Sequence, residues 1–252
     1  MMNGKLKKVL VLGSDGLVGN AFKRSESINE KFNVHYSTRS EADLEVLEEV
    51  KSLFDQVNPD IVINCAGKVG GIIANSTEQY DFLAYNLKIN LNLFETIKNR
   101  SDLTLINLGS SSIYPKDVKL PIKESYLMTG KLEQSNAPYS LAKIVGIELG
   151  RVLNNDSIHC INLIPTNLYG PNDNFNPISS HVVPGLICKI HDAMLEKKNE
   201  YTVWGSGSPL RELLFVDDLI NAVEIVIESP KSYEILNIGS NVEISIKDLA
   251  LK

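Results

Sequence analysis

No apolar run in this chain approaches the ~20 residues that a membrane-crossing helix needs. The start of the chain, Lys5-Leu6-Lys7-Lys8 followed by Val9 to Leu12, has the order of a secretion signal. Its apolar part ends after four residues at Gly13-Ser14-Asp15-Gly16, too short for that purpose. A soluble, cytoplasmic protein is the expectation. Cysteine is scarce: Cys65, Cys160 and Cys188 are scattered, without pairing motif or metal-ligand spacing. That fits a reducing compartment and no structural metal. His35, His159, His181 and His191 are likewise too dispersed to suggest a zinc site. Basic charge is also short, with a net charge of -6 and no basic run to track a phosphate backbone, so nucleic acid is not an expected partner. Tryptophan occurs once, at Trp204.

What is present begins with a nucleotide signature. Val9 to Leu12 is a continuous apolar run, as expected for a strand buried on both faces. It leads into Gly13-Ser14-Asp15-Gly16-Leu17-Val18-Gly19 and then a helix-like stretch, Asn20 to Arg24. Glycines there let the backbone turn tightly and approach a pyrophosphate, whose charge sits at the helix amino end. The spacing is G-x-x-G-x-x-G, a variant of the commoner fingerprint. A second strand is expected over Phe32 to Ser37. An NAD site usually has an acid near the end of that strand to hold the ribose hydroxyls. Here Ser37-Thr38-Arg39-Ser40 stands instead, and no carboxylate precedes Arg39 to repel a 2′-phosphate. That favours NADP over NAD.

Strand-helix alternation continues. Helices are expected over Asp43 to Gln56, Glu78 to Arg100, Pro138 to Leu153 and Val216 to Glu228. Strands are expected over Ile61 to Asn64, Leu103 to Leu108, Ile158 to Leu163 and Ile235 to Ile238. Repeated βα units predict an α/β fold, a Rossmann-type doubly wound parallel sheet with a smaller C-terminal substrate domain. Residues 1–165 would form the dinucleotide-binding part, with 213–238 packing back onto it. Residues 166–212 and 239–252 would form the substrate-binding part. Tyr114 to Ala137 and Asn167 to Ser180 are expected as loops over the site.

The chemistry centres on Pro138-Tyr139-Ser140-Leu141-Ala142-Lys143. Pro138 suits a first helical turn, and Tyr139 and Lys143, at i and i+4, share a helix face. An ammonium beside a phenol is expected to lower the tyrosine pKa and fit it for proton exchange with a carbonyl oxygen. The strand ending at Leu108 runs into Gly109-Ser110-Ser111-Ser112, where this fold presents its chemistry. Two hydroxyls, from Ser110 and Tyr139, converging on one carbonyl would polarise it.

Together, Gly13/Gly16/Gly19, Ser110 and Tyr139-xxx-Lys143 resemble the extended short-chain dehydrogenase/reductase family. Five stretches resemble its GDP-L-fucose synthase branch. They are Lys68 to Ile72, Leu108 to Pro115, Pro165 to Pro171, Asp173 to Val182 and Trp204 to Glu212. The resemblance implies an NADP(H)-dependent epimerase and reductase of a GDP-4-keto-6-deoxy sugar, and a homodimer formed through the helices near 78–100 and 138–153. It implies that Tyr139 protonates the C4 oxygen, Lys143 tunes Tyr139 and holds the nicotinamide ribose, and Ser110 hydrogen-bonds that oxygen. It places the cofactor against Gly13 to Gly19, Arg39, Asn64, Ala66, Leu108, Gly109, Ser110, Ser111, Lys143, Pro165, Thr166, Asn167, Leu168 and His181. Lys189, Trp204 and Arg211 would contact the nucleotide-sugar.

For epimerisation the family supplies a histidine and a cysteine. His181 matches the first. The second is Ser112 here, and a hydroxyl is a far poorer base than a thiolate. The chain also ends at Ile246 to Lys252, inside a starting helix, where the family continues and completes its substrate domain. Another nucleotide-sugar reductase or 4-epimerase, and a non-catalytic NADP-binding paralogue, stay open at this point.

Overall fold

The computed structural model describes residues 5–155, 157–229, 231 and 233–252. In chain order the elements are β1 (Lys8–Leu12), α1 (Leu17–Arg24), α2 (Glu26–Lys31), β2 (Asn33–Ser37), α3 (Leu47–Val57) and β3 (Ile61–Asn64). Then come α4 (Ile72–Thr77), α5 (Gln79–Ile97), β4 (Leu103–Leu108), α6 (Ala137–Leu153), β5 (Ile158–Pro165) and β6 (Asn167–Tyr169). The chain closes with α7 (Val182–Leu195), β7 (Leu210–Phe215), α8 (Val216–Glu228), β8 (Ile235–Ile238), β9 (Glu243–Ser245) and α9 (Ile246–Leu251).

Six strands form one sheet in the order β2-β1-β3-β4-β5-β8, and every pair is parallel. Strand side chains alternate between faces, and here both faces are covered. On one face Val9 and Val11 pack with Phe22, Ile28, Leu219 and Val223; on the other Leu10 and Leu12 pack with Val50, Phe54, Leu93 and Ile97. Each such buried side chain stabilises the fold by about 1.5–3 kcal/mol. α8 therefore returns to the first core before β8 closes the sheet. A smaller sheet, β6-β7-β9, pairs β6 parallel and β9 antiparallel to β7.

The chain steps outward from β1 to β2, then back across to β3, so the order reverses between β1 and β3. Ligands of such sheets bind in the crevice beyond the strand ends at that switch. An asparagine ladder spans the sheet at this end. Asn64 Nδ2 donates to Asn107 Oδ1 at 3.0 Å, and Asn107 Nδ2 donates to Asn162 Oδ1 at 2.9 Å. All three are buried, so each amide needs these partners.

Several boundaries differ from expectation. α3 starts at Leu47 rather than Asp43, because the Asp43 N–H donates to Glu49 Oε2 at 2.7 Å and the Glu45 N–H to Asp43 Oδ1 at 3.0 Å, which holds 43–46 as a turn. α5 stops at Ile97, short of Arg100. The loop after Tyr114 is tied down at the β8 edge rather than lying free. Tyr114 donates its hydroxyl to Asn237 Oδ1, and the Asn237 N–H donates to Glu124 Oε1 at 2.9 Å. Among the described residues no helix is long and apolar enough to cross a membrane.

Candidate active site

The glycine loop fills the gap between β1 and α1. Gly13 has φ +74°, and a Cβ there would lie 2.7 Å from the Ala66 Cα, so β1 and the end of β3 approach closely. A Cβ on Gly19 would lie 2.4 Å from the Ser14 Cα, so α1 packs directly on the loop. At Gly16 the nearest atom would be 3.6 Å away, which leaves that side of the loop open. Gly16 caps α1 without a side chain, and the first turn carries no acid. Its free N–H groups and positive helix end suit a pyrophosphate. Two buried hydroxyls, Ser14 Oγ and Thr166 Oγ1, have no protein partner. They lie just beyond β1 and β5, where a bound dinucleotide would run, so the residues present fit the group.

Arg39, expected at a 2′-phosphate, has carboxylate partners in the structure. Its guanidinium bonds Asp43 Oδ2 at 3.0 Å and Glu45 Oε2 at 3.2 Å, and it stacks 5.4 Å from the Tyr85 ring centroid. The carboxylates follow Arg39 in sequence rather than precede it. They hold the guanidinium at the β2 end and also compete with any phosphate there. Asn64, expected at the cofactor, has its side chain in the buried asparagine ladder, with its Oδ1 accepting the Ala66 N–H at 3.2 Å. Leu108 and Pro165 are buried at the β4 and β5 ends, whereas Asn167 is exposed and gives its side-chain amide to the Glu212 carbonyl.

The catalytic candidates come together between β4 and α6. Ser110 Oγ and Ser112 Oγ lie 3.0 Å apart. Ser140 Oγ lies 2.9 Å from both Ser112 Oγ and the Ser112 carbonyl. Tyr139 faces Ser110, the hydroxyl that opposes the rise in its pKa; its ring packs with Phe82 at 6.2 Å and 82°, and Lys143 Nζ stands 5.9 Å from the Tyr139 ring centroid. Lys143 Nζ donates to the Leu108 carbonyl at 2.9 Å. Three hydroxyls thus form one chain, Ser110–Ser112–Ser140, with the Tyr139 phenol next to its Ser110 end.

The pKa expectation is reversed. Burial pushes the Tyr139 phenol up to about 12, and the Ser110 hydrogen bond only partly opposes this. Burial also lowers the Lys143 ammonium to about 8, with the Cys65 thiol favouring its charge. Lys143 is spent on the Leu108 carbonyl, so desolvation outweighs the attraction that the i, i+4 spacing promised. The phenol is therefore a proton donor at neutral pH. Ser112 has hydroxyl neighbours only, and none of these is a base.

His181 caps α7 with extended backbone. It is exposed at the rim, yet crowding of its ring lowers its pKa, while nearby Asp173 favours its charged form. Burial raises the Asp173 carboxyl, whose Oδ2 is buried and unpartnered. Lys189 stacks 3.8 Å over the Trp204 ring, which is 59% exposed. Arg211, on β7, turns its guanidinium to the Leu210 carbonyl at 2.7 Å. Among the described residues no group of three or more His, Cys, Asp or Glu side chains is placed to hold a metal. Sequence reasoning missed Ser140, Phe82, Cys65 and Asp173 as parts of the site. Ser140 alone had a local signal, its place directly after Tyr139.

Known proteins resemble this chain along nearly its whole length. Residues 9–239 match the NAD dependent epimerase/dehydratase family. GDP-L-fucose synthase 1 of Arabidopsis thaliana is 43% identical over 250 residues, 99% of this chain and 77% of that protein. GDP-L-fucose synthase of Escherichia coli K12 is 37% identical, over 97% of this chain and 79% of that one. The structure of a GDP-L-fucose synthetase from Naegleria fowleri bound to NADP superposes with a TM-score of 0.90 at 29% identity, covering 100% of this chain and 83% of that one. A family match across nearly the whole sheet, and relatives this similar from end to end, settle the kinship: the chain belongs to the NAD-dependent epimerase/dehydratase family, in its GDP-L-fucose synthase branch.

Proposed function

We propose that this protein is an NADPH-dependent epimerase/reductase that converts GDP-4-keto-6-deoxy-D-mannose to GDP-L-fucose. The observation that carries the reading is the Tyr139–Ser110 hydroxyl pair beside Lys143 at the end of β4, in the crevice that the glycine loop opens. Bound NADPH supplies the hydride for reduction at C4. Tyr139 holds its proton at neutral pH and gives it to the C4 oxygen as that oxygen becomes an alkoxide. Ser110 donates a hydrogen bond to the same oxygen. During epimerisation the oxygen carries enolate charge, and the same preorganised donors stabilise it. Removing one such donor typically costs about 10²–10³ in rate.

His181, whose pKa desolvation of the ring lowers so that the neutral imidazole is favoured as a base, exchanges protons at the sugar carbons from one ring face. Ser112 occupies the place of a base on the opposite face. Its partners there are the Ser110 and Ser140 hydroxyls, neither of which can take its proton. A reductase that leaves C3 and C5 largely unepimerised is the second reading, and Ser112 is the observation that favours it. Lys189 and Trp204 serve the nucleotide-sugar as a stacked cation and indole, and Arg211 serves its diphosphate. The protein acts in the cytoplasm as a homodimer. Support for the dimer comes from apolar side chains exposed on the helix pair α5 and α6: Tyr80, Leu91, Leu141 and Val152. A monomeric mass by light scattering would refute that part.

The deciding experiment incubates the purified protein with NADPH and GDP-4-keto-6-deoxy-D-mannose and identifies the sugar by NMR. GDP-L-fucose is the expected product. Cofactor left unoxidised would overturn the assignment.

A further inference from the structure

The stretch Lys68-Val69-Gly70-Gly71-Ile72 has no part in the chemistry above, yet it touches both walls of the site. It leaves β3 and crosses α5, where the Lys68 N–H donates to Asn86 Oδ1 at 2.9 Å and Asn86 Nδ2 returns a bond to the Lys68 carbonyl at 3.0 Å. A Cβ on Gly70 would sit 3.1 Å from Phe82 Cζ, and Phe82 is the ring whose edge packs on Tyr139. The Gly71 N–H donates to the Ser179 carbonyl at 2.9 Å. A Cβ on Gly71 would lie 2.2 Å from the Ser180 carbonyl oxygen. The next residue is His181. Asn75, 5% exposed, grips the strip from below, its Nδ2 donating to the Gly70 carbonyl at 2.5 Å and the Gly71 carbonyl at 3.1 Å.

We propose that Gly71, seated by Asn75, is a positioning residue that sets where His181 stands relative to Tyr139. This role for Gly71 rests on the proposed function of His181 in proton exchange at carbon. Gly71 has φ -70° and ψ -177°, a conformation open to any residue. The demand for glycine is therefore not conformational. It comes from the close approach of the histidine loop, which a single methyl group would push away. The obstacle is backbone, so no rotamer change relieves it. Phe82 ties the same strip to Tyr139, so the strip sets the gap across which His181 and the C4 oxygen donors must both reach one sugar ring. A misplacement of about 1 Å at such a site can cost about 100-fold.

The test uses Gly71→Ala, Asn75→Ala and His181→Asn in the full chain, with three readouts. These are NADPH affinity, deuterium uptake from D2O at C3 and C5 of the keto sugar, and the identity of the reduced product. Gly71→Ala is expected to slow deuterium uptake by about 100-fold. The product should shift toward the C4-reduced, unepimerised sugar, with NADPH affinity unchanged. Asn75→Ala should move the same way by a smaller factor, and it keeps the test alive if Gly71→Ala does not fold. If both variants exchange at the wild-type rate while His181→Asn does not, positioning by the strip is wrong. If either variant loses NADPH affinity and reduction along with exchange, the strip is a general support and the proposal also fails. Undiminished exchange in His181→Asn would instead bring down the histidine assignment.

Discussion

Replacing Tyr139 by phenylalanine removes one oxygen and little else. The ring remains against the Phe82 edge at 6.2 Å, and Ser110 keeps Ser112 Oγ at 3.0 Å as a partner. Lys143 keeps its bond to the Leu108 carbonyl. Loss of one net hydrogen bond costs about 0.5–1.5 kcal/mol of stability, so Tm should move by only a few degrees. The chemistry loses its proton donor, and general acid catalysis is worth about 10²–10⁴ in rate. At 1.36 kcal/mol per factor of ten, that is about 3–5 kcal/mol of transition-state stabilisation. The assay follows NADPH oxidation with the keto sugar, alongside NADPH affinity by fluorescence titration. The expected result is a kcat lower by that factor with unchanged affinity. A kcat within about tenfold of wild type would refute Tyr139 as the acid, because a remaining water or Ser110 would then suffice.

Ser112→Cys places a thiol where only hydroxyls now meet, and it should speed deuterium uptake at C3 and C5. An unchanged rate would mean that the second proton exchange runs elsewhere. Arg39→Ala should weaken NADPH binding by roughly 10–100-fold, the worth of a charge-assisted hydrogen bond, while sparing NADH. Unchanged NADPH affinity would show that Asp43 and Glu45 keep the guanidinium from the phosphate. Lys143 has a folded pKa lowered to about 8 from 10.5, so the unfolded chain binds its proton more tightly between those values. The Lys143 contribution to stability therefore rises with pH from about 8 to 10.5, by roughly 3 kcal/mol, while the raised pKa values of Cys65, Cys160 and Tyr139 contribute in the opposite sense above about pH 9. The difference between wild type and Lys143→Met in chemical denaturation isolates this contribution from those of Cys65 and Tyr139, and a pH-independent difference would contradict it.

Much of the sheet was legible because its signals are local. Ile61–Asn64 and Leu103–Leu108 are short apolar runs between polar breaks, and the structure keeps those bounds. The glycine loop announced itself by spacing. By contrast α7 went unseen, since Pro184 and Gly185 look like breakers, although proline is well tolerated in a first helical turn. β7 and β9 lack alternation and exist because they pair, β7 with both β6 and β9. Asn64, Asn107 and Asn162 each look incidental within their own strand. Only the register across β3, β4 and β5 makes them a ladder.

The sequence alone determined which chemical groups exist and which of them the backbone must hold close: a turn only glycine can make, a phenol and an ammonium one helical turn apart, a run of serines after a strand. Burial, and so the direction of each pKa, belongs to the tertiary structure. It withheld Lys143 from Tyr139 and gave it to the Leu108 carbonyl, closed Asp43 and Glu45 around Arg39, and laid Gly71 against the loop of His181. Electrostatic energy depends on which atoms exclude water, and those atoms come from segments far apart in the chain.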